Sequence, residues 1–280
     1  MHEVTISVPA TTANLGPGYD CLGVALQIYN RVTVAPAATP QADAMAAAAA
    51  EKFFAASGAA PFPFSWKIAG DVPRARGLGS SVTVRLGLLH GLNELAARPL
   101  TRERLFALCA ELEGHPDNAA PAAFGGFTVA GGAEVARFDV APELRFVLLI
   151  PDFEISTPAA RNVLPAQLDR LAAAQSCANA CRITAAFAAQ NYALLRGAFA
   201  DQLHQPFREK ELIPFLSKVI ATGEQAGALG GFLSGSGSTI CCVTLENPDA
   251  IAAAMLTASG HAGARIVITS ADNTGAVVLT

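Results

Sequence analysis

Residues 72–81 read Val-Pro-Arg-Ala-Arg-Gly-Leu-Gly-Ser-Ser and lead directly into an apolar helical pattern over residues 82–96. Gly77 and Gly79 allow positive φ angles and leave no Cβ beside a bound group. Ser80 and Ser81 can cap the helix, whose first N–H groups carry the positive end of the helix dipole. A loop of this kind predicts an anion site, and phosphate is the usual anion. An ordinary loop-to-helix junction also fits the same residues.

The loop matches neither of two common nucleotide-binding motifs. No Gly-Lys-Ser/Thr sequence follows it, which excludes a Walker A loop. Val82 occupies the position where a GxGxxG motif needs its third glycine, so a dinucleotide fold is not indicated. Arg74 and Arg76 add positive charge beside the glycines. The residues therefore favour either a phosphate loop of another class or a plain junction.

The composition is that of a folded protein with a large core. Of 280 residues, 52% are hydrophobic and 15% are charged, and the net charge is −4. This supply of apolar residues is enough for one large domain or two ordinary ones. The sequence contains no run of Lys or Arg, so we expect neither nucleic acid nor an anionic membrane as a partner.

Targeting signals and cysteine usage both favour a cytoplasmic protein. Residues 1–6 lack the basic and apolar regions of a signal peptide, and no apolar run reaches the ~18 residues that cross a bilayer. Six cysteines occur, and none belongs to a Cys-x-x-Cys pair. Cys177 and Cys181 are spaced i,i+4, and one such pair is not a metal site. We expect these thiols to be reduced.

The order of elements predicts two α+β units that meet near residues 140–145. The first half has a strand at 3–8, a strand at 24–35, a helix at 43–57, a strand at 62–68 and a hairpin at 125–139. A continuous apolar run at 144–150 predicts a central strand that opens the second unit. We expect ligands to bind in the cleft between the units, and we do not expect a doubly wound parallel sheet.

Two further stretches place short polar side chains between Gly and Pro residues. They are the loop at 9–20, with Asn14 and Asp20, and residues 113–118, with Glu113, His115, Asp117 and Asn118. Each is suited to a ligand-binding loop. The first also fits a plain turn. The second also fits a helix C-cap at Gly114 followed by an Asp-Asn N-cap.

Together these stretches resemble the motifs of the GHMP kinases. Residues 73–83 resemble the second motif, Pro-x-x-x-Gly-Leu-Gly-Ser-Ser-Ala-Ala, and the loop at 9–20 and a second Gly/Ser loop at 230–239 resemble the first and the third. The finer pattern is similar to that of the homoserine kinases within this superfamily. Five stretches carry it: Thr-Thr-Ala-Asn-Leu-Gly-x-Gly-Tyr-Asp at 11–20, Arg-Gly-Leu-Gly-Ser-Ser at 76–81, His-x-Asp-Asn-x-Ala-Pro at 115–121, Ser-Thr-x-x-Ala-Arg-x-Val-Leu-Pro at 156–165 and His-Gln-Pro-Phe-Arg at 204–208. The matches cover nearly the whole chain in the family's order.

The resemblance implies a GHMP kinase-like α+β fold with two domains. A ribosomal S5 domain 2-like unit at 1–142 would bind ATP, and a ferredoxin-like unit would occupy 143–280. The residues implied for ATP are Arg76, Gly77, Leu78, Gly79, Ser80 and Ser81. Ser81 and Glu113 would hold Mg²⁺, an ion that favours carboxylate and hydroxyl oxygens. We also expect a homodimer.

The resemblance further implies transfer of phosphate from ATP to the side-chain hydroxyl of L-homoserine, a step of threonine biosynthesis. Arg161 and Arg208 would bind the substrate carboxylate. Asp20 and Asn118 would bind its ammonium group. Asn14 would orient the reacting hydroxyl, Thr157 would lie near the γ-phosphate, and His115 would line the pocket. With Glu113 and Arg208, Asn14 and Thr157 form the expected catalytic set, and no dedicated base is evident.

Other interpretations fit parts of the pattern. Another GHMP kinase could act on a different small alcohol, although mevalonate has no amine to pair with Asp20. A non-catalytic GHMP-fold binding protein is a second alternative, which the retained Ser81 and Glu113 argue against. Arg208, beside Glu209 and Glu211, also fits a solvated surface charge, and Arg161 also fits a helix-end residue.

Overall fold

Two antiparallel sheets organise the described part of the chain. The computed structural model describes residues 3–39, 41, 43–132 and 134–279. Met1 and His2, on which the expected absence of a signal peptide partly depends, lie outside these residues. The antiparallel pairing confirms the predicted α+β class, and neither sheet has the parallel order of a doubly wound fold.

The first sheet has six strands and contains the N-terminus of the described chain. Its strands are β10 (Val277–Leu279), β1 (Val4–Ala13), β2 (Leu22–Pro36), β4 (Phe127–Gly131) and β5 (Glu134–Phe138) in spatial order, with β3 (Phe64–Gly70) also paired to β2. Because β10 pairs with β1, the end of the chain returns to this sheet.

Four helices accompany the first sheet. They are α1 (Ala44–Ser57), α2 (Ser80–Leu95), α3 (Arg102–Glu113) and α4 (Ala119–Phe124). Leu86 and Leu89 of α2 are fully buried in one cluster with Ile6 and Val32 of the sheet, which fixes α2 against β1 and β2. The N-terminus of α2 is held in place by this packing.

The second sheet has the spatial order β7 (Gly230–Leu233), β8 (Ile240–Thr244), β6 (Arg145–Ile150) and β9 (Arg265–Ser270). Its helices are α5 (Thr157–Asn162), α6 (Arg170–Ala188), α7 (Gln205–Leu212), α8 (Leu216–Gln225) and α9 (Pro248–Ser259), with a 3₁₀ turn at Tyr192–Leu195. Across the described ranges, none of the helices combines the length and apolar character needed to cross a membrane.

A shared apolar core joins the two sheets. Leu22 and Phe127 from the first sheet are buried in the same cluster as Phe146 and Leu148 from the second. The ring of Phe127 stacks on Phe187 of α6, with centroids 4.2 Å apart. Burial of large aromatic rings contributes strongly to stability, so the two units are fixed to each other where the cleft forms.

Two elements extend into stretches that were predicted as loops. β1 continues to Ala13, where a loop was predicted from Pro9 onward. The pairing register shifts at this point, because Pro9 lies opposite Tyr29 of β2 and Ala10 lies opposite Leu26, and this irregularity lets the strand pass the proline. Residues 230–233 form β7 where a loop was predicted. Gly231 lies against the Cys242 sulfur there, so its missing side chain serves close packing.

Candidate active site

The predicted phosphate loop ends at the N-terminus of α2, as expected. Gly77 and Gly79 have φ angles of +71° and +67°, which glycine adopts without strain. A Cβ at Gly77 would collide with the carbonyl oxygen of Ser234. The predicted capping by Ser80 and Ser81 is wrong, because Gly79 is the N-cap of α2, both serines lie inside the helix, and no described side chain caps it. The first N–H groups of α2 are therefore available to an anion.

The three motif loops come together around this helix end. The Ser234 hydroxyl donates to the Gly77 carbonyl at 2.6 Å and lies 2.8 Å from the Thr12 hydroxyl. The Thr11 hydroxyl donates to Oδ1 of Asn118 at 2.7 Å. Thr12 and Ser234 are 222 positions apart in the sequence, and together they form part of one wall of the candidate active site.

A cavity of about 430 Å³ opens beside this wall. Every residue that the sequence analysis assigned to the site lines it, with the exception of Leu78. The Leu78 side chain is 1% exposed and belongs to the core between the sheets. Residues from both halves of the chain contribute, from Asn14 through Ser236, and the volume suits a small-molecule ligand.

Ser81 and Glu113 meet at one end of the cavity. The Ser81 hydroxyl donates to Oε2 of Glu113 at 2.9 Å. The Glu113 side chain is 8% exposed, and Nη1 of Arg85 lies 2.7 Å from its Oε1. Oε1 is buried and accepts no aligned hydrogen bond from a described residue. A buried carboxylate oxygen with unused lone pairs, next to a hydroxyl, fits the requirements of Mg²⁺.

Asn14 braces the loop that follows β1. Its side chain is buried, with Nδ2 donating to the Gly235 carbonyl at 3.0 Å and Oδ1 accepting the Asp20 N–H at 3.0 Å. Asn14 and Asp20 both have positive φ angles, of 70° and 57°. These hydrogen bonds offset part of the backbone strain and fix Asp20 at the cavity.

Arg161 forms an ion pair with Asp20. Nη2 lies 2.9 Å from Oδ1 and Nη1 lies 3.0 Å from Oδ2, the two-point geometry of a guanidinium with a carboxylate. Nη1 also donates to the Tyr19 hydroxyl at 2.9 Å. Arg161 therefore does more than end α5, because it connects the second unit to the loop after β1.

Arg208 is a buried cation that forms no ion pair with a described carboxylate. It is 3% exposed, which rules out the solvated surface charge considered above. Its guanidinium donates to the carbonyls of Ala160 and Gly235 at 3.1 and 2.8 Å. Nη1 also lies 3.1 Å from Nδ1 of His204. Nη2 has no described hydrogen-bond partner, and the residue lines the cavity.

His204 holds Arg208 in place as a neutral ring. Burial lowers the pKa of His204 to about 4. Its Nε2 lies 2.8 Å from the Gly16 carbonyl, so Nε2 donates there and Nδ1 accepts from Arg208. The Tyr19 ring completes the surroundings, with its centroid 5.6 Å from the guanidinium carbons of both Arg208 and Arg161.

Two carboxylates and a histidine cluster at the cavity, namely Asp20, Asp117 and His115. Nδ1 of His115 lies 2.6 Å from Oδ1 of Asp117, and this hydrogen bond raises the pKa of His115. Ligand-type atoms of Asp20, His115 and Asp117 lie within 4.8 Å of one another. The same Asp117 oxygen accepts from the Asn118 side chain at 3.2 Å. Such a group attracts a cation, including an ammonium.

Arg76 and Thr157 lie at the rim between the units. The Arg76 guanidinium donates to the carbonyls of Pro151 and Asp152 at 2.9 and 2.7 Å, so it binds the second unit instead of projecting freely. Thr157 is the first residue of α5 and follows Ser156, which caps that helix. Both residues line the cavity.

Four residues near the site had no assigned role in the sequence analysis. They are Tyr19, Arg85, Asp117 and His204. Three of them lie within or beside the quoted motifs, so their position in the sequence could have drawn attention to them. No sequence signal marked Arg85, because its contact with Glu113 depends on how α2 and α3 pack.

Family models match both halves of the chain. The GHMP kinases N terminal domain matches residues 44–126, and the GHMP kinases C terminal domain matches residues 183–262. The first range contains Ser81 and Glu113, and the second contains Arg208. By its fold and its family matches, the chain belongs to the GHMP kinases.

Sequence relatives narrow the class. The chain is 41% identical to the homoserine kinase of Synechococcus sp., over 91% of this chain and 90% of that protein. It is 35% identical to the homoserine kinase of Caldicellulosiruptor bescii, over 99% of this chain and 97% of that protein. The chain therefore belongs to the homoserine kinase family of the GHMP kinases.

Solved structures share the fold. A homoserine kinase from Cytophaga hutchinsonii superposes with a TM-score of 0.90 at 23% identity, covering 100% of this chain and 98% of that one. A mevalonate kinase superposes with a TM-score of 0.71 at 13% identity, covering 96% and 99%. Because kinases of different names share this fold, the substrate has to be argued from the cavity.

Proposed function

We propose that this chain transfers the γ-phosphoryl group of ATP to the side-chain hydroxyl of L-homoserine, giving O-phospho-L-homoserine for threonine biosynthesis. The observation that carries the proposal is Arg208, a 3% exposed guanidinium with no ion pair among the described residues. Burying a charge is costly unless a partner compensates it. A substrate carboxylate in the cavity would supply that partner.

The glycine loop and α2 support the ATP part of the proposal. The uncapped N-terminus of a helix of 16 residues offers N–H groups and the positive end of the dipole to the phosphates. Gly77 and Gly79 keep the backbone open to close approach. The Arg76 side chain would act indirectly, because its hydrogen bonds join the loop to the second unit.

Ser81 and Glu113 are the residues that would hold Mg²⁺. When bound, the ion would neutralise charge on the β- and γ-phosphate oxygens during transfer. The chain's own part is to keep the Glu113 carboxylate and the Ser81 hydroxyl together at the end of α2, where the 2.9 Å hydrogen bond already aligns them.

The charges around the cavity match an amino-acid zwitterion. Arg208 and Arg161 would bind the carboxylate, and Asp20 with Asn118 would bind the ammonium, next to the acidic Asp117. Asn14 and Thr157 would position the reacting hydroxyl and the γ-phosphate. Phosphoryl transfer depends mainly on positioning and charge neutralisation, so the hydroxyl could attack directly and lose its proton late to phosphate or water.

The proposal extends to domain roles and compartment. Residues 1–142 would form the ATP-binding domain and residues 143–280 the C-terminal domain, with β10 added to the first sheet. All six cysteines are free thiols in the structure, which favours the reducing cytoplasm. We retain the homodimer as the proposed assembly, to be measured by light scattering.

A coupled ADP-release assay tests the function. Purified protein with Mg²⁺ and ATP is offered homoserine, serine, threonine or mevalonate in turn. We expect the highest kcat/KM with homoserine. Preference for mevalonate would indicate another GHMP kinase. Nucleotide binding without ADP release for any alcohol would indicate a non-catalytic binding protein.

A further inference from the structure

Arg85, which contacts Glu113, lies outside every motif identified in the sequence. Nη1 of Arg85 is 2.7 Å from Oε1 of Glu113, and the two side chains are 23% and 8% exposed. The same Nη1 donates to the Leu112 carbonyl at 2.7 Å. Arg85 is thereby fixed against the last turn of α3 while its charge faces the carboxylate.

The spacing of Ser81 and Arg85 gives this contact its geometry. Residues four apart on a helix lie on the same face, one turn above the other. From this face of α2, the Ser81 hydroxyl binds Oε2 of Glu113 and the Arg85 guanidinium contacts Oε1. Oε2 is therefore hydrogen-bonded and Oε1 faces the cation without an aligned hydrogen bond, so both the position and the rotation of the carboxylate are restricted.

We propose that Arg85 is a positioning residue for the divalent metal, acting through Glu113. The inference rests on the proposed function, in which Glu113 and Ser81 hold Mg²⁺. Glutamate has several rotatable bonds, and without Arg85 a nearly buried carboxylate would lose its charge partner and its fixed orientation. Groups that orient a metal ligand contribute about 10- to 100-fold to metal affinity.

If Arg85 acted only through its charge, its removal would change the affinity for the metal in the opposite direction, toward tighter binding. A cation 2.7 Å from the ligand oxygen repels a second cation, so its removal would tighten metal binding. The hydrogen bond to Leu112 and the low exposure of Glu113 favour the positioning effect, because they show that Arg85 is held where it fixes the carboxylate. The two effects are thus separated by the direction of one measured change.

Binding of Mn²⁺ tests the inference without any turnover. The free Mn²⁺ signal in electron paramagnetic resonance is followed with full-length protein, the β,γ-imido analogue of ATP, and no homoserine. We expect Arg85→Met and Arg85→Gln each to weaken Mn²⁺ binding about 10- to 100-fold, and Arg85→Lys to recover part of the loss. Arg104→Met is the matched control, since Arg104 pairs with Glu111 at 3.5 Å on the exposed side of α3.

Glu113→Gln separates this inference from the proposed metal site. Weaker binding in both Glu113→Gln and the Arg85 variants, with Arg104→Met unchanged, supports the inference. Binding that is unchanged or tighter in folded Arg85→Met or Arg85→Gln overturns the role of Arg85 alone. If Glu113→Gln binds Mn²⁺ as well as the wild type does, the proposed metal site and the role of Arg85 both fail. Circular dichroism confirms that each variant is folded.

Discussion

Arg161 and Asp20 are 141 residues apart in the chain and form a two-point ion pair at the cavity, with contacts of 2.9 and 3.0 Å. The pair joins α5 of the second unit to the loop after β1. An amino-acid zwitterion offers each of these side chains an opposite charge. It can therefore replace the contact without leaving either charge alone.

Removal of the Arg161 guanidinium distinguishes a binding role from a purely structural one. We expect Arg161→Ala to raise the KM for homoserine about 10- to 100-fold, because a charge-assisted contact is worth roughly 1.5–3 kcal/mol. The KM for ATP should change little. The side chains of the pair are 39% and 32% exposed, so the free energy of unfolding should fall by only about 0–1 kcal/mol. Steady-state kinetics and urea unfolding give the two quantities.

Arg98→Ala provides the control for that experiment. Arg98 pairs with Glu94 at 2.8 Å and does not line the cavity, so neither KM should change. A large loss of stability in Arg161→Ala with an unchanged KM for homoserine would make the pair a structural contact only.

Glu113→Gln should leave the fold intact and lower kcat about 100-fold or more. A neutral amide replaces the charged oxygen donor, and a hundredfold loss corresponds to about 2.7 kcal/mol of transition-state stabilisation. The assay is run across a range of Mg²⁺ concentrations. Glu111→Gln, two residues earlier on α3 and paired with Lys52 at 2.9 Å, should retain full activity. An unchanged kcat at saturating Mg²⁺ would show that Glu113 only ends a helix.

The buried His204 predicts a loss of stability in acid. Its pKa is about 4 in the folded protein, lowered by burial, and about 6.5 when unfolded. The unfolded state therefore binds more protons between these values, and stability falls as pH drops below about 6.5. Asp201, 3.5 Å from Nε2, opposes this effect, and Arg208 reinforces it.

His204→Gln measures this contribution. Between pH 7 and pH 4.5, the titration of His204 should lower the free energy of unfolding of the wild type by about 2–3 kcal/mol. The variant lacks this group and should not show this decrease. The stability difference between the two proteins should thus shrink as the pH falls. His90, whose pKa burial also lowers to about 4, is present in both and cancels. Parallel pH curves for the two proteins would show that His204 does not titrate in this way.

The sequence predicted the loop-to-helix junction at residues 72–96 well because its signals are local. Glycines, serines and the apolar period of a helix favour this conformation locally, and hydrogen bonds from the Ser234 hydroxyl and the Arg76 guanidinium then join the loop to the second unit. The resemblance of the motifs also predicted that Ser81 and Glu113 lie close together, although they are 32 residues apart in the sequence. Local signals failed at β1, where the register shift after Pro9 depends on pairing with β2.

The contacts that position the charged side chains of the site could not be predicted from the sequence. The hydrogen bonds by which the Arg76 guanidinium joins the carbonyls of the second unit were not predicted. The anchoring of Arg208 by His204 and Gly235 requires the relative position of α7 and the third motif loop. Such contacts depend on packing between distant elements, and no spacing in the sequence encodes them directly.

The proposed substrate is tested most directly by the ratio of kcat/KM for L-homoserine to that for 3-aminopropanol, which lacks the carboxylate. We expect the wild type to prefer homoserine strongly and Arg208→Ala to lose about 10- to 100-fold of that preference. Arg208→Lys should recover only part, because an ammonium cannot make the planar two-point contact. Residual turnover of 3-aminopropanol shows that each variant is folded. Equal discrimination by the wild type and Arg208→Ala would contradict the account, because Arg208 would then not bind the substrate carboxylate.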